Sequence, residues 1–177
     1  MPREPAPSAR GESQTSEGEG AGPPRLRPFG LVLHHDGSWT HEGQPILNRR
    51  IREKFDGSVR YLPEEGKYVV QVGRFRGEIE VEEAGFFVRD VDLARGRVVL
   101  SDRSRDAFDL ESLRVSELDG AYLCTVKREL VPGGLPARFT HAAQAELLAA
   151  VDETEEGPVI RLQGRMRRIP PLHDGVS

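Results

Sequence analysis

The stretch His35-Asp36-Gly37-Ser38-Trp39-Thr40-His41-Glu42-Gly43-Gln44-Pro45-Ile46 decides how the chain folds. Asp36-Gly37 is a hairpin signal, because a tight turn between strands needs positive φ, and Gly adopts it without a steric cost. Phe29 to His34, just before it, alternates weakly and reads as a strand, with Ser38 to His41 as its return. Glu42-Gly43 turns the chain again. Pro45 then suits the first turn of a helix, where its missing N–H costs nothing. Ile46, Leu47, Ile51 and Phe55 fall at helical spacing, with Arg49, Arg50, Arg52 and Lys54 mostly on the other side, and Asp56-Gly57 ends the helix. A hairpin feeding an amphipathic helix points to an α+β fold.

Downstream the pattern is mostly strand. Val59 to Leu62 and Tyr68 to Val72 flank the turn Pro63-Glu64-Glu65-Gly66. Glu78, Glu80 and Glu82 alternate with Ile79 and Val81, as in a half-buried strand with a solvated acidic face. Phe86 to Leu93 and Arg97 to Leu100 form a hairpin about Arg95-Gly96, and Ala107 to Leu110 and Ala121 to Lys127 read as further strands. Phe139 to Val151 is predicted as the second helix, with a strand over Val159 to Gln163 behind it. A strand, a Gly/Pro loop, a helix, a turn and a strand recur at 38–62 and 121–163, which hints at duplication. The expected organisation is a tail over 1–28, a first α+β repeat over 29–100, a second over 101–172, and a short tail over 173–177.

Composition narrows the function classes. The chain has 177 residues, 25 Lys and Arg against 29 Asp and Glu, and a net charge of −4. That balance argues against a general nucleic-acid binder, which needs a broad basic surface. No run of apolar residues is long enough for a membrane-spanning helix. Residues 1–28 carry four Arg and four Glu amid Pro, Gly and Ser, and cannot bury enough surface to offset the entropy of ordering, so a disordered tail is expected. The start of the chain lacks the apolar core of an export signal, and Cys124 is the only cysteine, so a cytoplasmic protein without disulfides is expected.

Catalytic motifs are scarce. No Gly-x-Ser-x-Gly, phosphate-loop or His-Glu-x-x-His pattern occurs. His34, His35, Asp36 and His41 include metal-ligand types, but neighbours on a strand point to opposite faces and a turn Asp serves its own backbone. Cys124 reads as a packed thiol. No catalytic residue, metal or cofactor is expected. The run Arg161, Arg165, Arg167 and Arg168 is the most informative charge feature. In one unbroken strand Arg161, Arg165 and Arg167 would share a face, fit either to hold a phosphate or carboxylate or to pair with the acidic strand 78–82. Trp39, the only tryptophan, either anchors the hairpin onto the helix or stacks on a planar ligand.

The opening segment resembles a bacterial family, the domain of unknown function 1285, whose members show Asp-Gly-x-Trp, then Gly-x-Pro-Ile, then a helix ending in Phe. Ile51 and Phe55 match that helix. The similarity runs on through Gly66-Lys67-Tyr68, Glu82-Glu83-Ala84-Gly85-Phe86-Phe87 and Leu135-Pro136-Ala137-Arg138-Phe139, covering roughly 29–172. The chain departs from the family at Gly85, where Pro is usual, at Asn48, where Arg is common, and at Pro136, where Glu is common. Leu162-Gln163-Gly164-Arg165 replaces a closing Trp-Ser-Gly strand. The resemblance implies two small α+β repeats, the second loosely similar to pleckstrin-homology domains. It also implies a small-ligand site between them suited to a nucleotide-like molecule, and a role in signalling.

The expected function is therefore a non-catalytic regulatory module holding a small anionic, nucleotide-like ligand between its repeats. The alternative is a protein-interaction domain with a signalling partner and no small ligand; neither reading involves nucleic acid or a membrane. If a ligand is held, its charge needs converging donors. The candidates are Arg138 at the start of the second helix, Arg165, Arg161 and Arg167 on the last strand, and Arg49 on the first helix, with Trp39 as a stacking surface. The second helix's N-terminus near Thr140 could add backbone N–H groups.

Overall fold

Asp36-Gly37 and Glu42-Gly43 both turn the chain as their residues dictate, with φ of +84° at Gly37 and +79° at Gly43. The computed structural model describes residues 27–172; the expected tails at 1–28 and 173–177 lie outside the described residues except for Arg27 and Pro28, which open β1 rather than close a tail. The first turn joins β1 (Arg27–Leu33) to β2 (Trp39–His41), and the second joins β2 to β3 (Gln44–Pro45). Pro45 thus sits in an edge strand, and the helix expected from Pro45 begins later. It is α1 (Arg49–Ser58), because the Asn48 side chain caps it by accepting from the backbone N–H of Arg50 and Ile51. A meander follows: β4 (Val59–Leu62), β5 (Lys67–Val72) and β6 (Phe75–Val81). The six strands form one sheet in the order β3-β2-β1-β6-β5-β4, in which β1 and β6 run parallel.

The second half repeats this plan. β7 (Phe86–Asp92), β8 (Arg97–Leu100) and β9 (Arg105–Ala107) form a meander. A short 3-10 turn (Leu110–Ser112) takes the place of α1, and β10 (Arg114–Val115), β11 (Tyr122–Val126) and β12 (Leu135–Phe139) form the second meander. The sheet order is β10-β11-β12-β7-β8-β9, and β7 and β12 are again the parallel pair. Each half is thus two meanders joined through the first strand of one and the last strand of the other. The repeat spans 27–81 and 86–139, with its division in the connector 82–85. A boundary at 100/101 would cut between β8 and β9, which pair through Val99 and Arg105. The strand–helix–strand pattern read at 38–62 and 121–163 is not the repeated unit.

Beyond residue 139 the chain adds elements that the first half lacks. They are α2 (His141–Ala149) and a three-stranded sheet of β13 (Val151–Thr154), β14 (Gly157–Leu162) and β15 (Arg165–Arg168). α2 is shorter than the helix predicted over 139–151. Phe139 closes β12 opposite Val88, and the Thr140 hydroxyl caps the helix by accepting from the Ala143 N–H. β12 itself escaped the sequence reading because Pro136 argues against a strand. Its pairing with β7 starts only at Ala137, so on that side Pro136 has no ladder bond to lose. Gln163 and Gly164 both take positive φ and turn the chain between β14 and β15, so the expected single closing strand is a hairpin.

The architecture is α+β, with mostly antiparallel strands, two helices and two similar halves. One apolar core runs through both, from Leu31, Leu33 and Trp39 to Phe86, Val88, Phe139 and Ile160. Among the described residues no helix is long and apolar enough to cross a membrane.

Candidate functional site

Trp39 is 1% exposed, and its indole N–H donates to the Asp56 carboxylate at 2.8 Å while its ring packs on Phe55. It anchors the hairpin to α1, as the first of the two readings held, and has no face left for a ligand. The other Asp56 oxygen accepts from Arg89 on β7 at 2.8 Å, so this carboxylate ties α1 to the second sheet. Burial pushes the Asp56 pKa up, although Trp39 and Arg89 both favour its charged form.

Arg138 is also structural. It is 4% exposed on β12, donates to Glu83 at 2.6 Å, and is paired with Asp119 and the Ser116 hydroxyl. Burial opposes its charge, but the hydrogen bonds to Asp119 and Glu83 outweigh that and its pKa is raised. Both carboxylates are spent on it, and so is the guanidinium. Glu83 belongs to the connector between the halves, so Arg138 fastens that connector to the second sheet. His35 extends the node from the first half, reaching Glu82 at 2.8 Å and Asp119 at 3.9 Å. His34 also approaches Glu82, at 3.5 Å. The two imidazoles lie in the turn after β1 and converge on one carboxylate, unlike neighbours on a strand.

The remaining predicted arginines are not brought together. Arg49 lies on exposed α1 and pairs with Glu53 one turn on, at 2.7 Å. Arg161 stands opposite Met166 in the closing hairpin, whereas Arg165 and Arg167 stand opposite Leu162 and Ile160, on the other face. Arg167 pairs with Glu111 at 3.2 Å. The shared face expected for Arg161, Arg165 and Arg167 required a straight strand, and the turn at Gln163-Gly164 removes it. Cys124 is fully buried in β11, and burial pushes its thiol to about 12, so it stays protonated.

A different arginine set does converge. Arg89, Arg103 and Arg105 line a cleft of about 550 Å³ between α1 and the second sheet, with Val99, Leu100 and Ser101 as its floor. Arg89 comes from β7, Arg103 from the β8–β9 turn and Arg105 from β9. The only carboxylate lining it is Glu53, already paired with Arg49. Arg103 and Arg105 form no ion pair among the described residues. The turn that presents Arg103 is braced: Asp102 accepts from the Ser104 N–H at 3.0 Å and from Lys127 at 2.9 Å, and Lys127 also reaches the Ser104 hydroxyl. Arg103 itself holds φ +68°, a left-handed conformation that L side chains rarely adopt and that a scaffold must enforce. The Ser101 hydroxyl accepts from the Phe87 N–H, which leaves its own hydrogen for the cleft. At Arg89 this cleft meets a second, of about 320 Å³, lined by Asp36, Asp56, Asp119, Arg138 and the start of α2 at Thr140 and His141. There the carboxylates outnumber the free cations, so the α2 N-terminus faces a surface poorly suited to an anion.

Neither a family model nor a curated protein matches the chain. Two solved structures do. A DUF1285 family protein from Silicibacter pomeroyi DSS-3 superimposes with a TM-score of 0.53 at 15% identity, covering 81% of this chain and 84% of that one. This is the DUF1285 fold. A second DUF1285 protein, from Shewanella baltica OS155, aligns over 69% of this chain and 91% of its own at 16% identity, with a TM-score of 0.44. The departures from the DUF1285 pattern have local causes. Asn48 is the helix cap, and a Cβ at Gly85 would collide with the Tyr68 ring, so Pro cannot stand there. The closing strand is divided by the Gln163-Gly164 turn. The sequence missed Arg89, Arg103 and Arg105 because they come from three separate segments and no motif links them. The one signal was an Arg, in Asp102-Arg103, at a hairpin position that ordinarily takes Gly or Asn.

Proposed function

We propose that the protein is a non-catalytic regulatory module that binds a small anionic ligand in the cleft between its halves, through Arg89, Arg103 and Arg105. One observation carries this reading: three guanidinium groups from separate segments face one cleft whose sole carboxylate is already paired. Guanidinium forks suit phosphate and carboxylate oxygens, and the braced β8–β9 turn lowers the ordering cost of binding. Nucleotides are the first ligands to try, on the strength of the family resemblance, and a cytoplasmic location is part of the same reading.

The test is titration calorimetry with inorganic phosphate, nucleoside mono- and triphosphates, and an uncharged nucleoside. The charged compounds should bind and the nucleoside should not. Arg103→Ala and Arg105→Ala should each weaken binding by about 1.5–3 kcal/mol, the scale of a hydrogen bond to a charged group, with stability changed by less than about 0.5 kcal/mol. Absence of heat, and of any melting shift at high concentration, for every anion would overturn the reading.

The interaction-module alternative has one observation in its favour. Leu47, just before α1, is 83% exposed, and Ile51 in its first turn is 44% exposed. Concentration-dependent association abolished by Leu47→Ser would support it.

A further inference from the structure

α2 and the closing three-stranded sheet lie outside the twofold repeat, yet with the 3-10 turn they enclose a second kind of cavity. Its volume is about 490 Å³, within the range of small-molecule sites. Leu110, Leu113 and Leu147 form its floor and are 3%, 5% and 2% exposed. Ile169 and Leu172, from the segment after β15, wall one side. Among the described residues, charge appears in its lining only at Glu153, Glu156 and Arg168. Glu153 and Glu156 belong to the run Asp152-Glu153-Thr154-Glu155-Glu156, the β13–β14 hairpin tip, and are exposed. The one cation, Arg168, is already engaged by Glu156 at 2.7 Å.

We propose that this cavity binds a small amphiphile with an apolar body and a cationic head. Leu148, 46% exposed, is the accessible apolar side chain of this lining beside Ile169 and Leu172, and an apolar body covers it without needing a hydrogen bond. The acidic hairpin tip then selects the head. A cation gains from Glu153, which forms no ion pair among the described residues, whereas a carboxylate or sulfate head meets that like charge while Arg168 and Glu156 satisfy each other. The site is separate from the arginine cleft and shares no lining residue with it.

The experiment uses the full chain and three probes of equal length below their micelle concentrations: octyltrimethylammonium, octanol and octanoate. Each is titrated by calorimetry, with the position followed by methyl NMR of Leu147 and Leu172. Octyltrimethylammonium should bind with one-to-one stoichiometry, shift those methyls, and bind at least tenfold more tightly than octanoate. Glu153→Gln with Glu156→Gln, both at exposed positions, should leave the melting temperature in place and shrink that preference below threefold. Leu172→Ala should weaken all three probes. Octanoate equal to or tighter than the cation, a preference unmoved by the double substitution, or no saturable shift at Leu147 would each overturn the proposal. Phosphate present at saturation should change none of these results, which keeps the outcome independent of the arginine cleft.

Discussion

Arg138 and Arg103 both lie on the second sheet near the junction of the halves, and they have opposite fates. Arg138 is 4% exposed and takes up two carboxylates, Glu83 and Asp119. Arg103 stands on a braced turn, exposed, with no ion pair among the described residues. A buried cation must be paired, because its desolvation penalty is several kcal/mol per ion. Once paired, it has nothing left to offer a ligand. An exposed cation held in a strained turn has the reverse balance: it adds nothing to stability, and its position makes sense only through what it meets. In this chain burial sorts structural arginines from candidate binding ones, and residue type does not.

The largest test of that contrast is Arg138→Met. It leaves Glu83, with a side chain 16% exposed, without its partner, and should cost about 3–5 kcal/mol in denaturant unfolding. Phosphate affinity should stay within threefold of wild type, about 0.65 kcal/mol at most. Adding Glu83→Gln should recover part of the lost stability, because the unpaired charge is then gone. An Arg138→Met variant of normal stability that no longer binds phosphate would invert the assignment.

Arg89 belongs to both regions, since it pairs with Asp56 and also lines the arginine cleft. Its own side chain is 46% exposed but that of Asp56 is 17% exposed, and losing Arg89 leaves Asp56 with the Trp39 indole N–H. Arg89→Ala should therefore lower stability by about 1–3 kcal/mol, the cost of a buried group left short of a partner, and lower phosphate affinity together. Calorimetry and urea unfolding on the same variant measure both. A loss of stability alone would move Arg89 to the structural side of the comparison.

The node around Arg138 also carries a pH dependence of its own, through His35 and Glu82. The hydrogen bond to Glu82 raises the His35 pKa above its ordinary 6.5. The His35 backbone N–H and imidazole hold Glu82 below its ordinary 4.5. For His35 the folded value is the higher, so its contribution is complete below 6.5 and is lost as pH rises through the folded value. For Glu82 the folded value is the lower, so its contribution is present above 4.5 and is lost as pH falls through the folded value. The stability gap between wild type and Glu82→Gln should thus be widest at about pH 5.5 and narrow as pH rises through the folded His35 value, down to the part that the His35 backbone N–H supplies. A gap independent of pH would show that the imidazole charge plays no part in joining the halves.

The hairpins and the acidic strand were legible because their signals are local. Asp36-Gly37 and Glu42-Gly43 need only their own backbone, and Glu78 and Glu80 need only alternation. The start of α1 was misplaced because Pro45 favours a first helical turn as readily as an edge strand, and only the Asn48 cap decides between them. β12 was hidden by Pro136, whose tolerance depends on a pairing with β7 from a distant part of the chain. The site was hardest to read for the same reason. Arg138 was expected as a ligand donor at the start of the second helix, but it lies in β12 and is held by Glu83 and Asp119, which approach it only in the folded chain. Arg89, Arg103 and Arg105 are ordinary in sequence, and become a set only when β7, β8 and β9 lie side by side.

The smallest expected effect belongs to the closing hairpin. Arg161 and Arg165 are exposed and lie on opposite faces, and Arg161 makes only a long hydrogen bond, of 3.4 Å, to the carbonyl of Gly164. Neither lines the arginine cleft. Arg161→Ala with Arg165→Ala should therefore change stability by less than about 0.5 kcal/mol, as for uninvolved surface positions. Phosphate affinity should also be unchanged at matched ionic strength, because neither side chain reaches the cleft and exposed charges are largely screened over about 10 Å in 0.1 M salt. The control is the same titration at low salt, where removing two positive charges should weaken binding slightly through the long-range field alone. A tenfold loss of affinity at about 0.1 M salt would place the ligand against the closing hairpin. It would then be held by arginines that no single face of the sheet unites, and the distinction between paired and unpaired cations would fail where it is simplest to apply.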